Sequence, residues 1–201
     1  MIDPAHRYPT HLIDVLQLAN GRRVVVRPTL PQDCELQRAF VRTLSNEARY
    51  FRFMTRLSEL SEAMAESFTS IDYHSHVALI ATIFADASET MIGEVRYVVD
   101  GGGGAVCEFA VAVADAWQGM GLARTLLRRL ANHAAASGIH RMVGDTVSSN
   151  TAMIALAKST GFAVARKRED GRLMRLVKDL ARRDQRPSIA RPRLGECIVV
   201  A

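Results

Sequence analysis

The apolar positions of this chain change period several times, and the changes divide it into elements. Arg22 to Arg27 reads Arg-Arg-Val-Val-Val-Arg, a short β run, and Pro28 to Pro31 breaks it, because proline has no donor for a ladder. From Pro31 onward Leu36, Phe40, Val41 and Leu44 recur at helical spacing. Ser45-Asn46-Glu47 caps a second helix with Tyr50, Phe51 and Met54 on its apolar side, and Ser58 to Phe68 reads as a third, short helix. Val77 to Phe84, Met91 to Val99 and Ala105 to Val113 are strands. Asp100 and Gly101 to Gly104 precede the last of these. A glycine run that leads into a strand is a hairpin connection, not a phosphate loop.

The second half alternates differently. A helix from about Gln118 to Ser137 places Leu122, Leu126, Leu127 and Leu130 on one face, and Gly138 stops it. His140 to Val147 is a strand, Ser149 caps a helix from Asn150 to Thr160, and Gly161 ends that helix. Phe162 to Lys167 and Leu173 to Val177 form a closing hairpin around Glu169-Asp170-Gly171. The order β–α–α–α–β–β–β–α–β–α–β–β predicts a mixed sheet flanked by helices, of α/β or α+β class. Residues 1–21 read as an N-terminal extension, 22–180 as the domain, and 181–201 as a basic tail. In that tail Ile198-Val199-Val200 could add to a sheet edge or form a homodimer contact.

Composition narrows the class. The chain has 201 residues, enough for one domain with a sizeable core. No apolar run approaches the length of a membrane span, and Met1 to Arg7 lacks the apolar centre of a signal peptide. Cys34, Cys107 and Cys197 are far apart with no metal-ligand spacing, so no metal site is expected and a reduced, cytoplasmic protein is the simple reading. The net charge of +5 suits a polyanionic cofactor or simply keeps the protein soluble. Nucleic acid is not expected, because no basic patch is interleaved with aromatic residues.

Gln118-Gly119-Met120-Gly121-Leu122-Ala123 carries the most chemistry. It follows an apolar strand and opens a helix, whose N-terminus has unpaired N–H groups and a partial positive charge. Glycines there let the backbone close on a pyrophosphate. A dinucleotide, a nucleoside triphosphate and coenzyme A compete for such a loop. No Gly-Lys-Ser/Thr follows, and the region about 20 residues on reads Gly138-Ile139-His140-Arg141 without an acidic ribose partner. A plain turn between strand and helix is the other reading.

The spacing Gln118-x-x-Gly121-x-Ala123 resembles the coenzyme A pyrophosphate loop of the GNAT superfamily of N-acetyltransferases. Asn150 to Leu156 with Gly161-Phe162 looks like the GNAT segment beside the pantetheine arm, and Ile92-Gly93-Glu94 is similar to its usual strand pattern. Tyr8-Pro9, Gly21, Arg27-Pro28, Leu44-Ser45-x-Glu47-x-x-Tyr50-x-Arg52-Phe53, Ile71-Asp72-Tyr73, Arg96-Tyr97-Val98 and Glu108-Phe109-Ala110-Val111 are similar to the acetyltransferase module of Pat-type bacterial protein lysine acetyltransferases. The resemblance implies a GNAT-like central sheet of about six to seven strands. It also implies acetyl-CoA as co-substrate and a primary amine as acceptor, a protein lysine such as that of an acyl-CoA synthetase. The large synthetase-like or cyclic-nucleotide-binding domains often joined to that module have no room in this chain.

Residue roles follow from the same resemblance. Glu108 occupies the position of the catalytic glutamate. Val106, Glu108, Ala110 and Ala112 alternate onto one strand face, which leaves Glu108 among small side chains. The pattern alone leaves it open between a base and a surface ion pair. Val111, Ala112 and Val113 would present free backbone groups to pantetheine. Gln118, Gly119, Met120, Gly121, Leu122, Ala123 and Arg124 would hold the pyrophosphate, and Asn150 would touch the cofactor arm. Many GNAT enzymes have a tyrosine proton donor where this chain has Ala157. Glu94 is expected to pair with Arg96, His133 and His140 to be structural, and His74 and His76 to lie in a loop-to-strand segment. Cys107 should face away from Glu108. Acetylation of a small amine, or a non-catalytic acyl-CoA-binding module, would use the same loop.

Overall fold

The computed structural model describes residues 8–180 except Asp86, Ala87, Asp100 and residues 102–104. Its elements are β1 (Asp14–Gln17), β2 (Arg23–Pro28), α1 (Cys34–Thr43), α2 (Asn46–Phe53), α3 (Glu62–Thr69), β3 (His76–Ala85), β4 (Ser88–Val99) and β5 (Val106–Val113). They continue with α4 (Leu122–Ala136), β6 (Arg141–Val147), α5 (Thr151–Ser159), β7 (Ala163–Arg166) and β8 (Leu173–Asp179). Among the described residues eight strands form one sheet in the order β1-β2-β3-β4-β5-β6-β8-β7. Neighbours are antiparallel except β5 and β6, which run parallel. Two parallel strands need a crossover, and α4 supplies it.

The two sheet faces are covered by different helices. Leu122, Leu126, Leu127 and Leu130 of α4 are buried at a helical spacing that makes one stripe. On that face Tyr97 of β4 meets His133 of α4, hydroxyl to Nδ1 at 3.1 Å. On the other face α1 brings Gln37 to Glu94 of β4, 2.9 Å apart. Alternation along β5 therefore sends Cys107 and Phe109 into the α4 side, where both are buried, and Glu108 to the opposite side.

Several elements differ from the sequence-based expectation. The eighth strand is β1, inside the stretch read as an N-terminal extension. Its four residues alternate half-buried and exposed, so it carries no continuous apolar signal. The helix expected from Gln118 begins at Leu122, because the preceding residues form a turn with left-handed Gly119 and Gly121. The third helix starts at Glu62, with the Ser61 side chain accepting from the Met64 N–H. Ser45 caps α2 as expected, but Tyr50 and Met54 are exposed rather than packed. Met54 ends the helix in a left-handed conformation, φ 56°, which turns it away from the core. The antiparallel pairing of β4 and β5 agrees with a hairpin, while Asp100 and residues 102–104 lie outside the described residues. The tail at 181–201 also lies outside them.

Candidate active site

The site begins where two strands part. β5 and β6 pair only from Val106↔Arg141 to Glu108↔Val143. Beyond that, β5 stays paired with β4 as far as Gly93↔Val113, and β6 stays paired with β8 as far as Val147↔Leu173. The Phe109 ring sits at the fork, packed on Phe162 with centroids 4.8 Å apart. It lies so close over Gly144 that a Cβ there would stand 2.9 Å from the ring. From Phe109 to Val113 the edge of β5 turned toward β6 has no strand partner, and its backbone groups, apart from the Val113 carbonyl that Gln118 occupies, are available to a ligand.

The loop after β5 is held at both ends. Ala114 donates its N–H to Ile92, and the Gln118 side-chain amide donates to the Val113 carbonyl at 3.1 Å. Asp115 accepts from both the N–H and the hydroxyl of Ser45, each at 2.9 Å, which ties the start of α2 to this loop. Gly119 and Gly121 have φ of 76° and 83°, a region that costs an L side chain about 1–2 kcal/mol. A Cβ at either would meet nothing within 4 Å, so their backbone conformation, not crowding, calls for glycine. The first intrahelical bond of α4 runs from Thr125 to Gly121. The N–H groups of Leu122, Ala123 and Arg124 therefore have no carbonyl within the helix and point out of its N-terminus.

Between these walls lies a cleft of about 770 Å³. Glu108, Val111, Ala112 and Val113 line it from β5, and Gln118, Gly119, Gly121, Leu122, Ala123 and Arg124 from the loop and α4. Asn150 lines it from the start of α5. Met120 alone of the expected residues is not part of the lining. Its sulfur instead accepts from the Asn20 side-chain amide at 3.1 Å. Val113 is buried and Val111 half-buried on the core side, so their backbone, not their side chains, can serve the cleft. Asn150 is an N-cap. Its Oδ1 accepts from Met153 N–H at 3.0 Å and its Nδ2 donates to Thr146 Oγ1 at 3.1 Å.

Sequence reading missed the opposite wall. Gly144, Asp145 and Thr146 of β6, and Glu47, Phe51 and Arg52 of α2, also line the cleft. Gly144 inside the strand His140 to Val147 is the signal for the β6 side, since strand glycines mark close approach, and Glu47 and Arg52 of the α2 side stand in the run similar to the Pat-type module.

Under the cleft sits a buried ion cluster. Glu94 accepts from Arg52 Nε at 2.9 Å, from Arg96 Nη2 at 2.7 Å and from Gln37 Nε2 at 2.9 Å. Burial alone would push its carboxyl pKa up, but Arg96 and then Arg52 outweigh burial and hold it down at about 2. Arg52 lies over Phe53 and Phe68, and burial lowers its pKa. His76 sits beside Arg96, and burial followed by that charge lowers its pKa. His133 is likewise lowered by burial, Cys107 is raised by burial to about 12, and Ala157 is fully buried. Among the described residues no three His, Cys, Asp or Glu side chains cluster as metal ligands. No helix among them is long and apolar enough to cross a membrane.

The family model described as the acetyltransferase (GNAT) family matches residues 40–162, which hold both the fork and the glycine turn. The chain is similar to Acetyltransferase PA5475 of Pseudomonas aeruginosa, 35% identical over 156 residues, covering 78% of this chain and 83% of the relative. It is 28% identical over 138 residues to Acetyltransferase Pat of Mycolicibacterium smegmatis, covering 69% of this chain but only 40% of that longer protein. Among solved structures, the GNAT domain of S. lividans PAT superposes with a TM-score of 0.80 at 34% identity, covering 87% of this chain and all of that one (100%). With most of the chain matched in sequence and in shape, it belongs to the GNAT acetyltransferase family and is an acyltransferase.

Proposed function

We propose that the cleft takes acetyl-CoA and that Glu108 accepts a proton from an acceptor lysine of a protein. The parting of β5 from β6 carries this reading, because it frees strand backbone beside a helix N-terminus and an outward-facing carboxylate. The residues present fit the co-substrate. The volume suits an extended ligand, the space over Gly119 and Gly121 is open, and the start of α4 attracts phosphates. Bound acetyl-CoA supplies the thioester acyl group.

The chain's residues divide the work. Leu122, Ala123 and Arg124 donate N–H groups to the pyrophosphate, and the free edge of Val111 to Val113 aligns the pantetheine arm and polarises the carbonyl that is attacked. Such donors contribute a few kcal/mol. A lysine of pKa about 10.4 must lose its proton at neutral pH, at a cost of about 4–5 kcal/mol. Glu108, exposed on the open side of β5, takes that proton directly or through water. Ala157 offers no proton to the departing thiolate, and a thiolate whose conjugate thiol has a pKa of about 8.5 leaves without a dedicated donor and takes its proton from water.

Calorimetric titration tests the cofactor half: acetyl-CoA and CoA are expected to bind in the micromolar range, and absence of binding would refute it. The acceptor half is tested by incubating an acyl-CoA synthetase, beside a panel of small amines, with radiolabelled acetyl-CoA. Label on the protein alone supports it, and label on small amines alone would replace it with a small-molecule acetyltransferase.

A further inference from the structure

One of the chain's own lysines already stands beside the cleft, on the face that carries Glu108. By register Glu108 pairs with Val143, Asp145 with Arg175 and Arg175 with Ala165, so these side chains share one sheet face. Lys167 donates its main-chain N–H to the Leu173 carbonyl. That bond continues the β7–β8 ladder past Arg166↔Met174 and puts the Lys167 side chain on the same face. From there it crosses β8, and its Nζ donates to Asp145 Oδ2 at 2.9 Å. Asp145 lines the cleft from β6. It stands two residues beyond Val143, about 7 Å further along the strand, past the point where β5 and β6 part. The Lys167 amine is therefore held on the wall across the fork from the free edge of β5.

The pair that holds it is easily opened. The side chains of Lys167 and Asp145 are 27% and 23% exposed, and Asp145 has a second cation in Arg175, 3.2 Å away. A partly exposed ion pair is broken at little cost, and rotation about the lysine's own bonds then turns the amine toward the cleft with the backbone in place. The other two lysines are directed elsewhere. Lys178 pairs with Met142 and so lies on the opposite face, where its amine donates to the Thr160 carbonyl. Lys158 stands in the last turn of α5, which Thr160 ends.

We infer that Lys167 is a self-acetylation site, modified within its own molecule by acetyl-CoA bound in the cleft, an inference that rests on the acetyl-CoA reading above. The Lys167 ammonium gives one proton to Glu108, directly or through water, and the neutral amine attacks the thioester carbonyl. The C–N bond forms and the C–S bond breaks. The second proton shed by the nitrogen passes through water to the departing thiolate. The product amide carries no charge, so Asp145 keeps Arg175 as its cation and the wall of the cleft loses one positive charge.

The sequence has three lysines among its 26 basic side chains, so peptide mass spectrometry assigns the label without ambiguity. The purified chain is incubated with acetyl-CoA and no acceptor, and acetylation of Lys158, Lys167 and Lys178 is followed in time at several protein concentrations. A heat-unfolded sample and one with excess CoA measure the uncatalysed background. Lys167 should be labelled at least about tenfold faster than Lys158, as an amine held beside its electrophile. Its rate per molecule should be independent of protein concentration, and excess CoA should suppress it. Lys167→Arg keeps a cation on Asp145 and should remove this label while calorimetry shows acetyl-CoA binding unchanged. Equal labelling of the three lysines, labelling of Lys167 that excess CoA leaves untouched, or a rate per molecule that rises with protein concentration would overturn the inference. An unlabelled Lys167 in a chain that binds acetyl-CoA would overturn it while leaving the cofactor reading intact, and a chain that binds no acetyl-CoA would overturn both.

Discussion

The side-chain amide of Gln118 donates to the main-chain carbonyl of Val113, 3.1 Å away, and so fastens the start of the phosphate-facing turn to the end of the free strand edge. Both elements of the proposed acetyl-CoA site are thereby placed by one another. Gln118 acts here as a brace across the turn. Replacing it with Ala removes a bond of about 1 kcal/mol, so KM for acetyl-CoA should rise roughly five- to tenfold with kcat nearly unchanged. Steady-state kinetics at saturating acceptor checks this. A fall in kcat with constant KM would place Gln118 in the chemical step instead.

Glu108→Gln keeps the shape of the strand and removes the proton acceptor. The rate of acetylation should drop about 10²–10⁴-fold, while calorimetry shows acetyl-CoA binding within about twofold of the parent. Raising the pH toward the lysine pKa supplies neutral amine without a base and should narrow the gap. Turnover equal to the parent at neutral pH would remove Glu108 from the mechanism.

The Glu94 cluster predicts acid sensitivity. Glu94 is held at about 2 against an ordinary value of 4.5. An unfolded chain binds this proton below about pH 4.5, whereas the folded chain resists it until about 2, so stability present above that window is lost as the pH falls through it. Melting temperature should decline over the same window. In Glu94→Gln this part of the decline disappears, but the variant starts several kcal/mol less stable, about 3–5 by analogy with broken buried pairs, because Arg52 and Arg96 are left without their anion. Thermal melts across pH, parent against variant, measure both effects.

Two glycines should respond to alanine for different reasons. At Gly144 a methyl group would press on the Phe109 ring at 2.9 Å, and that ring is backed by Phe162, so Gly144→Ala should cost about 1–3 kcal/mol of stability. At Gly121 there is space but φ is 83°. Gly121→Ala should weaken acetyl-CoA binding, and Gly121→Asn should weaken it less, since asparagine tolerates the left-handed region better. Melting curves and calorimetry on the three variants separate crowding from backbone strain. Equal losses for Ala and Asn at Gly121 would discount the strain account.

Asn150→Ala should act on the fold. Its side chain caps α5 and bonds Thr146, so the expected loss is about 0.5–2 kcal/mol in stability. A change in acetyl-CoA affinity without a change in melting would show instead that the amide reaches the ligand.

Much of this protein is legible in its sequence because the signals are local. Leu122, Leu126, Leu127 and Leu130 determine a buried helical stripe, Ser45 a helix start, and the alternation around Glu108 the side it takes. The motif Gln118-x-x-Gly121-x-Ala123 determines a turn whose left-handed positions favour glycine. Where signals were not local, reading by pattern failed. β1 is too short and too evenly half-exposed to announce itself, and it exists because β2 offers it a partner. Tyr50 and Met54 carry helical periodicity but stay exposed, since periodicity does not say whether another element arrives to cover them. Tertiary structure alone decided that β5 and β6 part after Glu108. It also decided that β6 and α2 wall the cleft, and that Glu94 meets Arg52 across 42 positions of sequence. Strand partners, unlike helical turns, are chosen among residues far apart in the chain, and the space between them is a property of the assembled sheet.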